Sequence, residues 1–329
     1  MIGSRILFIA VVAGVGCGAL DAADVPEAAT SRASAESVAY SARPATLALP
    51  GAYFPESITA SREGALYVSS ITSGEIVRFA SPWAPAEVFV PAGVNLGTAG
   101  VAFDDARQVL WACAVDLTFA TPTALRAFSA NDGSLVASYT VPDGGVCADI
   151  AFARGDVYIT DTLLGLLFKL TTPAPCEAGG GTLALWSADP AFRDAGFLQI
   201  NGIAFDGART LYTTNYSSGR LLRVTIQPGG SAGPAEVIQT SRALATLDGI
   251  RITAPFARSL FVTENTGALS RIDISGDTAQ VTTLGTFDQP TSLVRVGRDL
   301  WVTEGQDLRL QGVDPTPINL PFVVRRFAL

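Results

Sequence analysis

From residue 55 onward, short apolar runs alternate with polar, Gly- and Pro-rich breaks, and one arrangement of apolar positions recurs six times. Each repeat opens on a strand-like segment with an apolar anchor, in Glu56-Ser57-Ile58, Ala99-Gly100-Val101, Ala148-Asp149-Ile150, Asn201-Gly202-Ile203, Asp248-Gly249-Ile250 and Thr291-Ser292-Leu293. Successive anchors lie 43, 49, 53, 47 and 43 residues apart. Eight to eleven residues after each anchor comes an aromatic preceded by Leu or Val: Tyr67, Trp111, Tyr158, Tyr212, Phe261 and Trp301. Turn-forming residues such as Arg62-Glu63-Gly64 and Asp206-Gly207 separate anchor from aromatic, so each repeat begins as a β-hairpin. A third strand follows in most repeats, as in Ile76-Val77-Arg78-Phe79 and Leu221-Leu222-Arg223-Val224.

A repeat of 40–50 residues built from about four antiparallel strands is the unit of a β-propeller. The mean spacing of 47 residues, repeated six times, fills the 285 residues from Ala45 to Leu329. The chain is therefore predicted to be all-β, a six-bladed propeller of four-stranded antiparallel blades spanning 45–329. Thr46–Leu49 or Phe322–Phe327 is expected to complete the last blade and join the two chain ends, because an unpaired edge invites aggregation. The six aromatics are expected to pack between blades.

The first 44 residues read differently. Arg5 precedes an apolar run from Ile6 to Val15, too short for the roughly 20 residues needed to span a bilayer, and Gly16-Cys17-Gly18 follows. Residues 1–16 are predicted to be a lipoprotein-type signal peptide, with Cys17 the lipidated first residue of the mature chain. Cleavage near Ala22-Ala23 is the alternative. Residues 17–44 are rich in Ala, Ser, Glu and Thr without periodicity and read as a disordered tether. The expected location is the periplasm or outer membrane of a bacterium, with the membrane touched only through the lipid and the protein a monomer.

Charge and composition narrow the chemistry. There are 22 Lys and Arg against 30 Asp and Glu, a net charge of −8, so nucleic acid is not expected as a partner. The chain has no His, and its only Lys is Lys169, followed by Leu170. Ser-His-Asp and Cys-His hydrolases, His-ligated zinc and a P-loop are thereby excluded. Gly229-Gly230-Ser231-Ala232-Gly233 fits a nucleophile-elbow pattern, but it follows Gln227-Pro228 and reads as a turn. Besides Cys17 there are Cys113, Cys147 and Cys176. Cys113 and Cys147, in successive repeats, are the preferred disulfide, and three buried thiols are the alternative.

Because first strands line a propeller's channel, the residues two before each anchor should ring one end of it: Glu56, Ala99, Ala148, Asn201, Asp248 and Thr291. Glu56, Asn201 and Asp248 carry the oxygens that hard cations such as calcium prefer. The plainer reading is that they satisfy strand starts or face channel water. Asp116, Asp161, Asn215 and Glu264, at the ends of the second strands, surround this ring as substrate contacts or as loop caps. Asn215-Tyr216-Ser217 is also a glycosylation sequon, discounted for a bacterial lipoprotein.

Pro55-Glu56-Ser57-Ile58, Ile200-Asn201-Gly202-Ile203-Ala204, Leu247-Asp248-Gly249-Ile250 and Val157-Tyr158-Ile159-Thr160-Asp161 resemble the gluconolactonase/regucalcin (senescence marker protein) family of six-bladed propellers. NHL-type and virginiamycin-lyase-like propellers share the blade pattern. The resemblance covers nearly all of the chain after the tether. It implies a divalent cation, commonly calcium, held by Glu56, Asn201 and Asp248, and hydrolysis of a small lactone or ester by metal-activated water with Asp248 as base. The family's hydrolases carry Asn-Asp in the third blade, where this chain has Ala148-Asp149. Either Asp149 serves in the missing position, as ligand or as second base, or the site has lost a ligand. Two functions follow: a calcium-dependent lactonase or esterase, and a non-catalytic propeller that binds a ligand or protein.

Overall fold

The computed structural model describes residues 44–171 and 180–329. The signal peptide, the Cys17 lipidation site, all but the end of the tether, and Cys176 lie outside the described residues. The described chain is almost wholly antiparallel β-structure in four sheets of four strands and one of eight. The eight-stranded sheet consists of two four-stranded runs joined by a short parallel pairing of Gln239 with Thr278 and of Thr240 with Ala279. No helix among the described residues is long and apolar enough to cross a membrane.

The first strands of these runs are Pro55–Ala60, Gly97–Asp104, Cys147–Ala153, Ile200–Phe205, Leu247–Ile252 and Pro290–Val296. Each touches the next, and the last touches the first, so they enclose a common channel. Antiparallel meanders arranged around a closed channel make a β-propeller. The last sheet runs Pro290–Val296, Asp299–Glu304, Val323–Ala328 and finally Thr46–Ala48. Both chain ends therefore complete it, where the sequence suggested one or the other.

The apolar anchors Ile58, Val101, Ile203, Ile250 and Leu293 are at most 1% exposed, and Ile150 is 3%. The aromatics are buried too, and Tyr67 stacks on Phe103 of the next sheet at 5.1 Å between ring centres. The Gly229–Gly230 segment is a turn between strands Leu221–Ile226 and Ala232–Thr240, as its composition predicts.

Every first strand carries a β-bulge at the same place. Pairing skips from Pro55 to Ile58, from Thr98 to Val101, from Cys147 to Ile150, from Ile200 to Ile203, from Leu247 to Ile250 and from Pro290 to Leu293. Two residues thus oppose one on the second strand, which leaves them out of the ladder and turns them toward the channel. Where the second bulge residue is Gly the packing demands it. A Cβ on Gly202 would lie 2.3 Å from the Asp248 carbonyl oxygen, and one on Gly100 would lie 2.3 Å from that of Ala148.

The single residue opposite each bulge is Ser69, Cys113, Thr160, Thr214, Thr263 or Thr303, two positions after the buried aromatic. Its hydroxyl accepts from the second bulge residue, at 3.0 Å from Ser57 N to Ser69 Oγ and 2.9 Å from Gly202 N to Thr214 Oγ1. In four repeats it then donates to a carbonyl across the junction, Ser69 to Ala99 at 2.7 Å, Thr160 to Asn201, Thr214 to Asp248 at 3.0 Å and Thr263 to Thr291 at 2.9 Å, while in the last repeat Thr303 contacts Thr291, which donates to Pro55. The second repeat has Cys113 in this position, and it forms a disulfide to Cys147 of the following sheet with Cα atoms 5.3 Å apart. This is the preferred pairing. A covalent bond replaces the hydroxyl latch at that one junction.

Candidate metal centre and the pocket above it

The bulges bring Glu56, Ala148, Asn201, Asp248 and Thr291 around the neck of the channel. Above the neck opens a cavity of about 140 Å³ whose floor holds Glu56, Asn201 and Asp248, with Ala99 and Ala148 beside them. The expected ring is therefore present. Its polar members differ in role: Thr291 is tied away by donating to the Pro55 carbonyl at 2.9 Å.

A fourth oxygen donor comes from outside the repeat. Between the second and third strands of the last sheet the chain makes an excursion from Gly305 to Phe322, which contains the single helical turn Asp307–Leu310. Arg309 anchors this turn by pairing with Asp288 at 2.8 Å and with Asp314 at 3.4 Å, and it also donates to Gln306 Oε1 at 2.7 Å. Asp307 is thereby placed over the neck. Carboxylate oxygens of Glu56, Asp248 and Asp307 lie within 4.8 Å of one another, close enough to share one cation.

Among the described residues no basic side chain forms an ion pair with these three carboxylates. Glu56 Oε2 and Asp307 Oδ1 are buried without a hydrogen-bond partner. Asp248 Oδ2 accepts from Asn265 Nδ2 at 2.9 Å, which fixes that carboxylate's rotation. Burial pushes the Glu56 carboxyl well above its ordinary range, reinforced by the charges of Asp307, Asp248 and Asp149. Burial raises Asp248 as well, with Asp307 and Asp149 adding to it and the Asn265 bond and Arg251 opposing. Burial lifts Asp307 from 3.8 to about 6, partly offset by its contact with Glu56. Buried like charges with unpartnered oxygens are costly unless a cation or protons neutralise them. An all-oxygen set of three carboxylates and one carboxamide suits calcium or magnesium and not a soft metal.

These shifts carry a pH signature. Each carboxyl binds its proton more tightly in the native state than in the unfolded chain, so the native state gains from acid. In the presence of a chelator the melting temperature is expected to fall from pH 5 to pH 8, as the medium passes through the Asp307 value of about 6, with the raised carboxyls of Glu56 and Asp248 acting in the same direction. Calcium should abolish the fall, because binding requires ionised ligands and gains as protons leave. Scanning calorimetry at both conditions checks this, and a melting temperature flat from pH 5 to 8 in chelator would refute it.

Asp149 lies one residue deeper in the channel. Its Oδ1 accepts from Ile150 N at 2.9 Å, and its Oδ2 from Arg251 Nη1 at 2.9 Å and Ile203 N at 3.1 Å. Both oxygens are thus occupied, Oδ1 within its own strand and Oδ2 by the two first strands that follow. Asp116, Asp161, Asn215 and Glu264 stand at the second-strand ends as expected, each engaged locally. Asp116 accepts from the backbone and hydroxyl of Thr118 and of Thr121. Asp161 accepts from Val146, Leu163 and Leu164 N. Asn215 bonds Phe192 O and Ser218, which leaves the sequon amide buried, and Glu264 is clamped by Arg242 at 2.6 Å. All four serve as loop caps, and of the four only Asp116 also borders the cavity.

Comparison with known proteins agrees with this architecture. Regucalcin from Agrobacterium tumefaciens, a calcium-binding protein, superposes with a TM-score of 0.59 at 16% identity, over 87% of this chain and 94% of its own. The fold is regucalcin-like. The Malassezia sympodialis allergen Mala s 1 gives 0.62 at 12% identity, over 86% of this chain and 96% of that one. A catalytically inactive virginiamycin B lyase from Staphylococcus aureus, bound to quinupristin, gives 0.56 at 17% identity over 79% and 80%. A family model described as strictosidine synthase-like, N-terminal, matches residues 42–79, which include Thr46–Ala48 of the last sheet and the first three strands of the first. No curated protein sequence matches the chain. These likenesses establish a gluconolactonase/regucalcin-like β-propeller fold.

Proposed function

We propose that the protein is a six-bladed propeller, exported and anchored through a lipid on Cys17, that holds a divalent cation, calcium foremost, and hydrolyses a lactone or ester in the cavity above it. Glu56, Asn201, Asp248 and Asp307 would hold the ion. The observation that carries this reading is the meeting of Glu56, Asp248 and Asp307 at the cavity floor with two buried, unpartnered carboxylate oxygens. A cation bound there would polarise a substrate carbonyl and acidify water. Asp248 would take a proton from the attacking water through Oδ1, a reading supported by the bond from Asn265 that occupies Oδ2. Asp149, with both oxygens occupied, orders the strands beneath and supports the negative potential of the floor.

A second reading, a propeller that binds a ligand without turning it over, is favoured by one feature: Ala148 gives the third sheet no donor at the neck. Titrating the protein with calcium while following its melting temperature, then assaying lactones and aryl esters with and without chelator, separates the two. The expected result is a saturable rise, worth about 2.7 kcal/mol at a hundredfold excess over Kd, and turnover lost on chelation. Stabilisation without turnover of any lactone or ester would leave the binding reading.

A further inference from the structure

The cavity above the carboxylates is walled by carbon. Ile71, Val115, Leu117, Phe119, Leu163 and Phe197 line it, all but Val115 supplied by connections at the channel mouth. Phe197 is 68% exposed, Phe119 56% and Leu117 52%, so a rim of large apolar side chains faces water around an acidic floor. Their placement is built in. Phe119 adopts a left-handed backbone with φ 57°, which bulky residues avoid, and its N–H donates to the Asp116 carbonyl oxygen at 2.9 Å. The four bonds that Asp116 accepts from Thr118 and Thr121 hold this loop shut.

Beyond the floor carboxylates, two hydroxyls of the cavity lining, Thr162 and Tyr216, are buried without a hydrogen-bond partner among the described residues, and the tyrosine is the stronger donor. Tyr216 is 6% exposed, its hydroxyl is buried, and it has no hydrogen-bond partner among the described residues. Gln311 approaches it without reaching bonding geometry. Burial, with Asp248 and Asp307 nearby, holds the phenol far above its usual range, so it stays a donor at any physiological pH. A buried O–H with no acceptor, facing a cavity, is satisfied when a ligand supplies one.

We propose that the cavity takes a neutral carbonyl compound with a long apolar tail, its carbonyl oxygen accepting from Tyr216 and its tail lying against Leu117, Phe119, Leu163 and Phe197. Sugar lactones are disfavoured, since a polyol would face this wall with its hydroxyls unpaired. Anionic acyl groups are repelled by the three carboxylates and a net charge of −8. As a statement about substrate this rests on the hydrolase reading, and it makes the substrate a lactone or ester of an aliphatic acid.

The test uses 2-alkanones from 2-butanone to 2-nonanone, which carry the carbonyl and tail but cannot be hydrolysed, titrated calorimetrically into the full-length protein with and without calcium. Affinity is expected to rise about fourfold per methylene until the cavity is filled. Phe119→Ser and Phe197→Ser should flatten that slope, and Tyr216→Phe should weaken every ketone by a similar factor of about five. Affinity independent of chain length, or glucono-δ-lactone binding more tightly than 2-nonanone, would overturn the proposal. An unchanged affinity in Tyr216→Phe would remove the carbonyl contact from it. A slope in a protein that hydrolyses nothing upholds the ligand class and defeats the hydrolase, whereas turnover of polar lactones with no slope does the reverse.

Discussion

Asp248→Asn is expected to abolish the calcium-dependent rise in melting temperature and to lower lactone or ester turnover about a thousandfold or more, while the calcium-free protein becomes more stable at pH 8. The opposite signs follow from the geometry. Asp248 shares the channel mouth with Glu56 and Asp307, and among the described residues no basic group pairs with any of the three. Without a cation each buried charge raises the cost of the others, so removing one relieves the native state. With a cation the same substitution deletes a ligand and the candidate base. Asn is close to isosteric, and its carboxamide oxygen can still accept from Asn265, so the local hydrogen bond survives. Glu56→Gln and Asp307→Asn should share the loss of calcium response. Calorimetry with and without calcium, paired with turnover measurements, reads both effects. A carboxylate whose role was only to brace the strand starts would behave differently, since its loss would destabilise the protein under both conditions.

How far this site was legible depended on whether a residue belonged to the repeat. The anchors Ile58, Val101 and their counterparts recur with the aromatics because every sheet must bury the same face against its neighbour, and that periodicity is written in apolar residues. The channel ring was readable for the same reason, since the position two before each anchor is always the bulge residue turned inward. Asp307 was not. It lies in a connection present only in the last repeat, held by Arg309 against Asp288 and Asp314, and no spacing rule relates it to Glu56. The one trace of it was length: 18 residues separate Glu304 from Val323, where the other repeats use three to eight. Asp116, Asp161, Asn215 and Glu264 were found in their predicted places because strand ends are fixed by the pattern. Their loop-capping role depended on neighbours such as Thr118 and Arg242, which sequence position alone does not assign.

The junction between the second and third sheets gives the last prediction, because it is the one place where the repeated hydroxyl latch is replaced by a covalent bond. Replacing both cysteines, as Cys113→Ala with Cys147→Ala, is expected to lower stability by roughly 4 kcal/mol, from the entropy returned to an unfolded chain no longer closed across a separation of 34 residues. Cys113→Thr with Cys147→Ala should recover about 1 kcal/mol of the loss. Threonine at 113 stands where Thr160, Thr214 and Thr263 stand in their own repeats, and its hydroxyl is placed to donate to the Ala148 carbonyl as theirs donate to the following sheet. Urea unfolding of the three proteins under oxidising conditions measures both steps. If the threonine variant is no more stable than the double-alanine one, the equivalence of latch and disulfide fails, and the bond would instead be compensating for a junction that cannot form the hydrogen bond.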